Sequence, residues 1–298
     1  MKAHLVDGTY ELFRHHFGLP EEARSRPGTN GAVRGVLWTI SYLLEEGATH
    51  VGVATDRVIE SFRNELWSGY KTGAGIDPVL LAQFPVLEEG LALMGVTLWP
   101  MVELEADDAL ASAAAVLADD PAFEQIVILT PDKDLGQCVV GRRVVQFDRR
   151  KGAIVDEDGV VAKFGVLPSS IPDYLALVGD SADGFPGLPG WGAKSAAAVL
   201  WRYGRLEDIP DSVGKWDVTV RGGAKLASTL AAAREAAALF KVLATLRIDR
   251  SLLASPEDLR WVGPPEPTAF LEFCDRIDAG QLFEKVGTLA LARRGGGA

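Results

Sequence analysis

The apolar and polar positions along the chain alternate between short strand-like runs and longer helical ones. Ala3–Val6, Val51–Thr55, Ile126–Thr130 and Val144–Phe147 are brief apolar runs bounded by polar or turn-forming residues, the pattern of strands buried within a sheet. Stretches with helical periodicity, roughly Gly31–Glu45, Pro78–Met94 and Asp107–Ala118, fall between the first three of them. Strand and helix in alternation predict an α/β fold with a mostly parallel sheet and crossover helices. From about Ile171 the pattern turns helical. The run ending at Val178 is followed by predicted helices at about Ala193–Tyr203 and Ala224–Thr245, and no strand is required. A proline-bearing stretch from Pro256 to Pro267 leads into a last helix from Thr268 to about Phe283, and the tail from Arg293 to Ala298 reads as disordered. The expected organisation is a sheet domain over residues 1–170 and a helical region over 171–298.

Composition narrows the class. A chain of 298 residues, 48% hydrophobic, can bury a large core. The first residues, M-K-A-H-L-V-D-G, lack the apolar segment of a signal peptide, and no run approaches the roughly 18 apolar residues of a membrane span, so a cytoplasmic protein without membrane contact is expected. Cys138 and Cys274 are too few and too far apart for a zinc site or a disulfide framework. The net charge of −11 works against strong non-specific nucleic-acid binding. Carboxylates gathered at a metal site would account for part of that charge.

The carboxylates fall in a telling place. Asp7 ends the first strand, Asp56 the second, and Asp132 and Asp134 follow the third, whereas Glu105, Asp107 and Asp108 open a helix. Asp180 and Asp183 lie three apart at the end of an apolar helical run, a spacing that lets both face one direction. Each acid alone reads equally well as a helix cap or a turn residue. Open α/β sheets place their ligands beyond the carboxyl ends of the strands, and there these acids would converge. Crowded like charges repel unless cations neutralise them. An all-oxygen donor set favours Mg²⁺ or Mn²⁺, and two such ions about 4 Å apart support phosphodiester hydrolysis. Immediately after Asp183, Gly187, Gly190 and Gly192, punctuated by Pro189, precede a helix start, so the turn could offer backbone N–H groups to a phosphate or be only a turn.

The ordered pieces V-D-G-T with Arg14 downstream, D-R-V-I-E-S-F-R-N-E-L-W-S-G-Y-K, E-A-D-D, L-T-P-D-K-D-L and G-D-S-A-D-G-F-P-G-L-P-G-W-G-A-K-S-A resemble the 5′-nuclease (flap endonuclease) family, in particular the 5′→3′ exonuclease domain of bacterial DNA polymerase I. The likeness runs from about Ala3 to about Phe283. No polymerase domain follows, so the resemblance is to a free-standing member. It implies a PIN-like sheet domain with a helical arch at about 63–90, followed by a helix-hairpin-helix region. Asp7, Asp56, Glu105 and Asp107 match positions for a first metal, with Asp108 beside them, and Asp132, Asp134, Asp180 and Asp183 match positions for a second. Lys71 and Arg63 match residues expected to contact the phosphate being cleaved, and Tyr70, on the segment leading into the arch, matches a DNA-contacting position. Arg14 and the turn residues Gly187, Gly190, Trp191, Gly192 and Lys194 match DNA-contacting positions, the turn holding a potassium ion in many members. The implied partner is DNA with a 5′ flap, nick or 5′ end, with RNA/DNA primer junctions as a further candidate, acted on by a monomer in replication or repair.

One departure bears on the substrate. Where many relatives carry another cation after the Tyr-Lys pair, this chain has Gly73-Ala-Gly75, and Ile76–Leu87 contains no Lys or Arg. Weaker grip on a threaded single strand follows. Competing readings are weaker. A haloacid-dehalogenase phosphatase also opens on D-G-T but needs an aspartate where Leu5 stands. A toxin-like ribonuclease would not need the chain after Ile171. A non-catalytic module that recognises branched DNA would be marked by loss of an acidic position, and every one is filled.

Overall fold

A computed structural model describes residues 1–295. In chain order the elements begin with β1 (Lys2–Asp7), α1 (Gly8–Gly18), α2 (Glu21–Arg24), α3 (Gly31–Glu45), β2 (His50–Asp56), α4 (Phe62–Leu66) and α5 (Pro78–Leu81). They continue through α6 (Gln83–Met94), β3 (Thr97–Met101), α7 (Ala106–Ala118), β4 (Gln125–Leu129), β5 (Val144–Asp148), β6 (Ala153–Val155) and α8 (Glu157–Phe164). The remainder is helical: α9 (Ile171–Val178), α10 (Ala193–Tyr203), α11 (Gly223–Ala232), α12 (Arg234–Ala244), α13 (Pro267–Arg276) and α14 (Gly280–Gly295). Two compact units interleave along the chain. One comprises residues 1–59, 73–129 and 248–298, and the other 60–72 and 130–247.

In the first unit the strands lie side by side in the order β3-β2-β1-β4, all parallel. Asp7 pairs with Ala54 and Val6 with Leu129, so β1, β2 and β4 end at a common edge. Helices account for the crossovers. α3 buries Val33, Val36, Leu37, Ile40 and Leu44 along one stripe, the spacing of an amphipathic helix against a core. α7 does the same with Ala109, Leu110, Ala113, Ala114 and Leu117. The range expected to form a helical arch is divided differently: α4 is one short helix, and α6 is a core helix that buries Phe84, Leu87, Leu91 and Met94. The predicted disordered tail is also corrected as far as Gly295. Arg293 lies in α14 and donates to the Leu44 carbonyl at 3.0 Å, satisfying an acceptor at the end of α3. Residues 296–298 of that tail lie outside the described residues.

The second unit pairs β5 with β6 antiparallel and otherwise consists of helices. Its core forms around α9 and α12, where Leu175, Leu177, Phe240 and Leu243 are buried together. Phe185 stacks on Phe240 with ring centroids 5.8 Å apart. The long helix predicted over 224–245 is broken at Ala233, which takes φ −124° and ψ 27° and so separates α11 from α12.

Candidate functional site

Each unit carries one group of the predicted acids. In the first, Asp7 caps α1, its carboxylate accepting from Tyr10 N at 2.8 Å. Asp56 ends β2 and accepts from Ala106 N at 2.8 Å, which ties the β2 edge to the start of α7. Glu105 caps that helix in a reciprocal box with Asp108, whose Oδ2 accepts from Glu105 N at 2.9 Å. Asp7, Glu105 and Asp108 are buried, while Asp56 and Asp107 are half-buried. The parallel register thus delivers these five acids to the carboxyl edge of the strands, where an α/β sheet presents its ligands.

In the second unit Asp134, Asp180 and Asp183 each place a carboxylate oxygen within 4.8 Å of the others, and all three are buried. Asp134 opens a 3₁₀ turn, its N–H donating to Asp132 Oδ1 at 2.9 Å; Asp132 itself is exposed. Asp180 and Asp183 reach the cluster by a route other than the predicted helix face. α9 ends at Val178, and a tight turn follows in which Asp180 N donates to Phe185 O at 2.8 Å and Phe185 N donates back to Asp180 O at 3.0 Å. The Asp180 side chain accepts from Ala182 N at 2.9 Å, which fixes the turn. Gly184 takes φ +85° here, and a Cβ at that position would lie 2.0 Å from Gly69 O, so only glycine lets residues 67–71 lie against the turn.

Cations meet these acids. Lys71 Nζ is 3.1 Å from Asp183 Oδ1, and Lys133 Nζ is 2.6 Å from Asp180 Oδ2. Lys133 was not among the predicted site residues, although its position between two acids in P-D-K-D-L was a usable signal. Burial, reinforced by the charges of Asp132, Asp183 and Asp180, pushes the Asp134 carboxyl well above the usual carboxylate range, with Lys133 opposing. Burial works to lower the Lys133 ammonium, but the hydrogen bond to Asp180 and its charge outweigh that, and its pKa lies above the ordinary lysine value. Asp134 Oδ1 is buried with no hydrogen-bond partner, an arrangement that costs free energy unless a cation or proton meets it. A set of converging oxygens with one unmet buried acceptor fits a hard divalent cation.

Three predicted contacts are corrected by burial. Arg63 is 1% exposed rather than at the surface; its Nε donates to Leu243 O at 2.8 Å and Nη2 to Thr245 O at 3.1 Å. The guanidinium therefore satisfies carbonyls at the end of α12, where a cation also complements the helix dipole. Tyr70 is buried in the second unit's core. Trp191, expected against DNA, is buried too, its ring centroid 6.1 Å from that of Trp216, because the apolar ring packs inward beneath the glycine turn. The turn itself keeps its predicted shape: α10 starts at Ala193 with Gly192 as its cap, and Gly190 and Lys194 are exposed. Gly187 takes φ +68°, and a Cβ there would lie 2.3 Å from Gly179 N, so this glycine is demanded by packing on the end of α9. Gly190, Gly192, Lys194 and Arg221 line a shallow cleft of about 580 Å³. In the first unit, Arg14 Nη2 is 2.6 Å from Glu11 Oε2, with its side chain 30% exposed.

Two family models cover nearly the whole chain. The 5′-3′ exonuclease N-terminal resolvase-like domain matches residues 2–165, and the 5′-3′ exonuclease C-terminal SAM fold matches residues 166–267. The chain belongs to the 5′-3′ exonuclease family. Among relatives, a 5′-3′ exonuclease of Aquifex aeolicus is 34% identical over 208 residues, 69% of this chain and 71% of that one. DNA polymerase I of Bacillus caldotenax is 33% identical over 290 residues, and that of Pseudomonas aeruginosa 35% over 273. These matches span 95% and 90% of the chain but only 31% and 29% of the polymerases. Among solved structures, the T5 D15 protein co-crystallised with metal ions superposes with a TM-score of 0.67 at 17% identity, covering 97% of this chain and all of that one. The catalytic core of Rad2 in complex with DNA substrate gives 0.64 at 16%, covering 97% and 91%. At such identities the likeness is one of fold. No helix among the described residues is long and apolar enough to cross a membrane.

Proposed function

We propose that this member of the 5′-3′ exonuclease family is a divalent-metal-dependent nuclease that hydrolyses DNA phosphodiesters at 5′ ends, nicks or 5′ flaps. The observation that carries the reading is the buried convergence of Asp134, Asp180 and Asp183 beside a lysine, Lys71, held on Asp183. A structural neighbour points the same way: T5 D15 flap endonuclease is seen in complex with DNA and metal ions.

Asp134, Asp180 and Asp183, with Asp132 at the rim, would hold one ion, and Asp7, Asp56, Glu105 and Asp107 another, with Asp108 fixing Glu105. Mg²⁺ or Mn²⁺ bound there would supply an activated water and charge neutralisation at the scissile phosphate. The chain's own residues do the rest. Lys71 offers an ammonium that can leave Asp183 for a phosphate oxygen and offset charge developing during bond cleavage. Gly190 and the first residues of α10, with Lys194 alongside, present backbone N–H groups and a positive side chain to a duplex phosphate, while Gly192 N–H donates to Ser195 Oγ at 3.1 Å and shapes the turn; a potassium ion at that turn would serve the same contact. Arg14 is a further candidate for the DNA backbone. A monomer suffices for this set of residues. Arg63 acts at one remove, by anchoring α4 and hence the segment that carries Lys71.

The test is cleavage of 5′-labelled flap, nicked and blunt duplexes with Mg²⁺, Mn²⁺ or chelator, alongside Asp180→Asn. Metal-dependent release of a 5′ oligonucleotide or mononucleotide, lost in the folded variant, supports the proposal. Binding of branched DNA without cleavage by the native protein would overturn it in favour of a non-catalytic module.

A further inference from the structure

The two lysines at the acidic triad are held differently. Lys71 is fixed by its main chain as well as its side chain, its N–H donating to Asp183 O at 2.9 Å. Lys133 stands on the rim, one residue before Asp134, with its side chain one-third exposed. Only its ammonium reaches inward, to Asp180 Oδ2 at 2.6 Å, while the other Asp180 oxygen is committed to the turn through Ala182 N. The Asp180 oxygen free of the turn is therefore the one Lys133 occupies. Asp180 is 3% exposed, so an ion pair there is poorly screened by solvent. A divalent ion drawing on that oxygen competes with the ammonium for it.

We propose that Lys133 is a displaceable counter-ion of this site: it neutralises Asp180 without metal and is exchanged for a divalent ion on loading, so that it raises the metal concentration the site requires. The inference rests on the metal-dependent reading of the triad. Lys133 is a positioning residue here and touches no reacting atom. A lysine suits the task, because its four-carbon stem lets the ammonium swing to solvent without moving the backbone that carries Asp132 and Asp134. Metal affinity in such a site is the difference between what the ion gains and what the displaced cation loses, so removing the competitor tightens binding.

The experiment measures Mn²⁺ binding to the metal-free protein at pH 7.5 by electron paramagnetic resonance of the free ion, with thermal unfolding in chelator as a second readout. Lys133→Met is expected to bind the ion of the triad about 3- to 10-fold more tightly than the native chain and to melt at lower temperature in chelator. Lys133→Arg, which keeps the charge, should bind within about twofold of native and recover the melting temperature. Lys163 serves as the control for a general field effect, since its charge also reaches Asp132; Lys163→Met should leave the affinity within about twofold. Lys133→Gln stands in if the methionine variant does not fold. Unchanged or weaker binding in Lys133→Met, or in Lys133→Gln where it stands in, or equal tightening in Lys163→Met, overturns the counter-ion role while leaving the metal site intact. Absence of any Mn²⁺ binding that Asp180→Asn removes overturns both the role and the metal reading beneath it.

Discussion

Lys71 and Asp183 are joined twice: the lysine N–H donates to the Asp183 carbonyl at 2.9 Å, and its ammonium lies 3.1 Å from Asp183 Oδ1. The main-chain bond sets where the side chain begins, and the ion pair sets where it ends. A candidate catalytic cation is thereby stationed at the acidic triad before substrate arrives, which lowers the cost of organising it. Asn64 adds a third restraint, its Nδ2 donating to Lys71 O at 2.9 Å.

Replacing Lys71 by alanine is expected to lower the rate of single-turnover cleavage by about 100-fold or more, the size typical of losing one charge-stabilising donor. Binding of a flap duplex in Ca²⁺ should weaken far less, because one cation among many phosphate contacts carries little of the affinity. Rapid-quench cleavage beside a filter-binding titration separates the two. Equal losses in both would make Lys71 a binding residue only.

Asp134 predicts a pH effect on the metal-free protein. Its carboxyl is pushed well above the ordinary range by burial and neighbouring carboxylates, so the folded state holds its proton more tightly than the unfolded chain does. Stability must then fall as pH rises from the ordinary aspartate value through the raised one, and the loss is complete above it. Asp134→Asn removes the ionisation. In chelator at pH 8 the variant should melt higher than native, by about 2 °C or more, and the difference should shrink toward pH 4. The same variant should lose the rise in melting temperature that Mg²⁺ gives the native chain. Calorimetry across pH, with and without metal, checks both signs.

Arg63 should behave as a structural residue. Substituting methionine removes a buried guanidinium and leaves the Leu243 and Thr245 carbonyls without it, a change expected to cost about 2 kcal/mol or more. Chemical denaturation would show a lower midpoint. Cleavage by the folded fraction should fall much less than in Lys71→Ala, and a stable but inactive Arg63→Met protein would give the residue a direct role at the phosphate.

Much of this architecture was legible in the chain because the signals were local. The helix over about Gly31–Glu45 and the start of α10 near Ala193 are legible, since apolar periodicity and a glycine cap mark them directly. β3 escaped because T-L-W-P-M has no alternation and contains Pro100, which the strand tolerates at the sheet edge, where one side needs no partner. α1 was hidden by the D-G-T motif, which reads as a turn until Asp7 is seen to cap the helix. No residue type announces the break at Ala233 within an alanine-rich run, where Ala233 itself packs against the second unit's core. The site divides in the same way. Most of the acids are legible in the sequence because they follow a strand or open a helix, and Asp180 and Asp183 because they close an apolar helical run. The burial of Arg63, Tyr70 and Trp191 is not, because it depends on which segments pack over them.

Gly184 offers a test of how that packing serves the site. It takes φ +85°, and its missing Cβ makes room for Gly69 O, while its own carbonyl accepts from Trp67 Nε1 at 3.1 Å. The turn bearing Asp180 and Asp183 is thereby latched to the segment that ends in Lys71. In Gly184→Ala the added methyl would overlap Gly69 O and adopt a backbone conformation that L-residues disfavour, so the two segments must part. The expected cost is about 2 kcal/mol or more in stability, together with weaker Mn²⁺ binding and a cleavage defect approaching that of Lys71→Ala. Ser181→Ala, at an exposed position in the same turn, should change none of the three. A Gly184→Ala protein that is destabilised yet binds metal and cleaves normally once folded would show that the latch supports the fold without positioning Lys71.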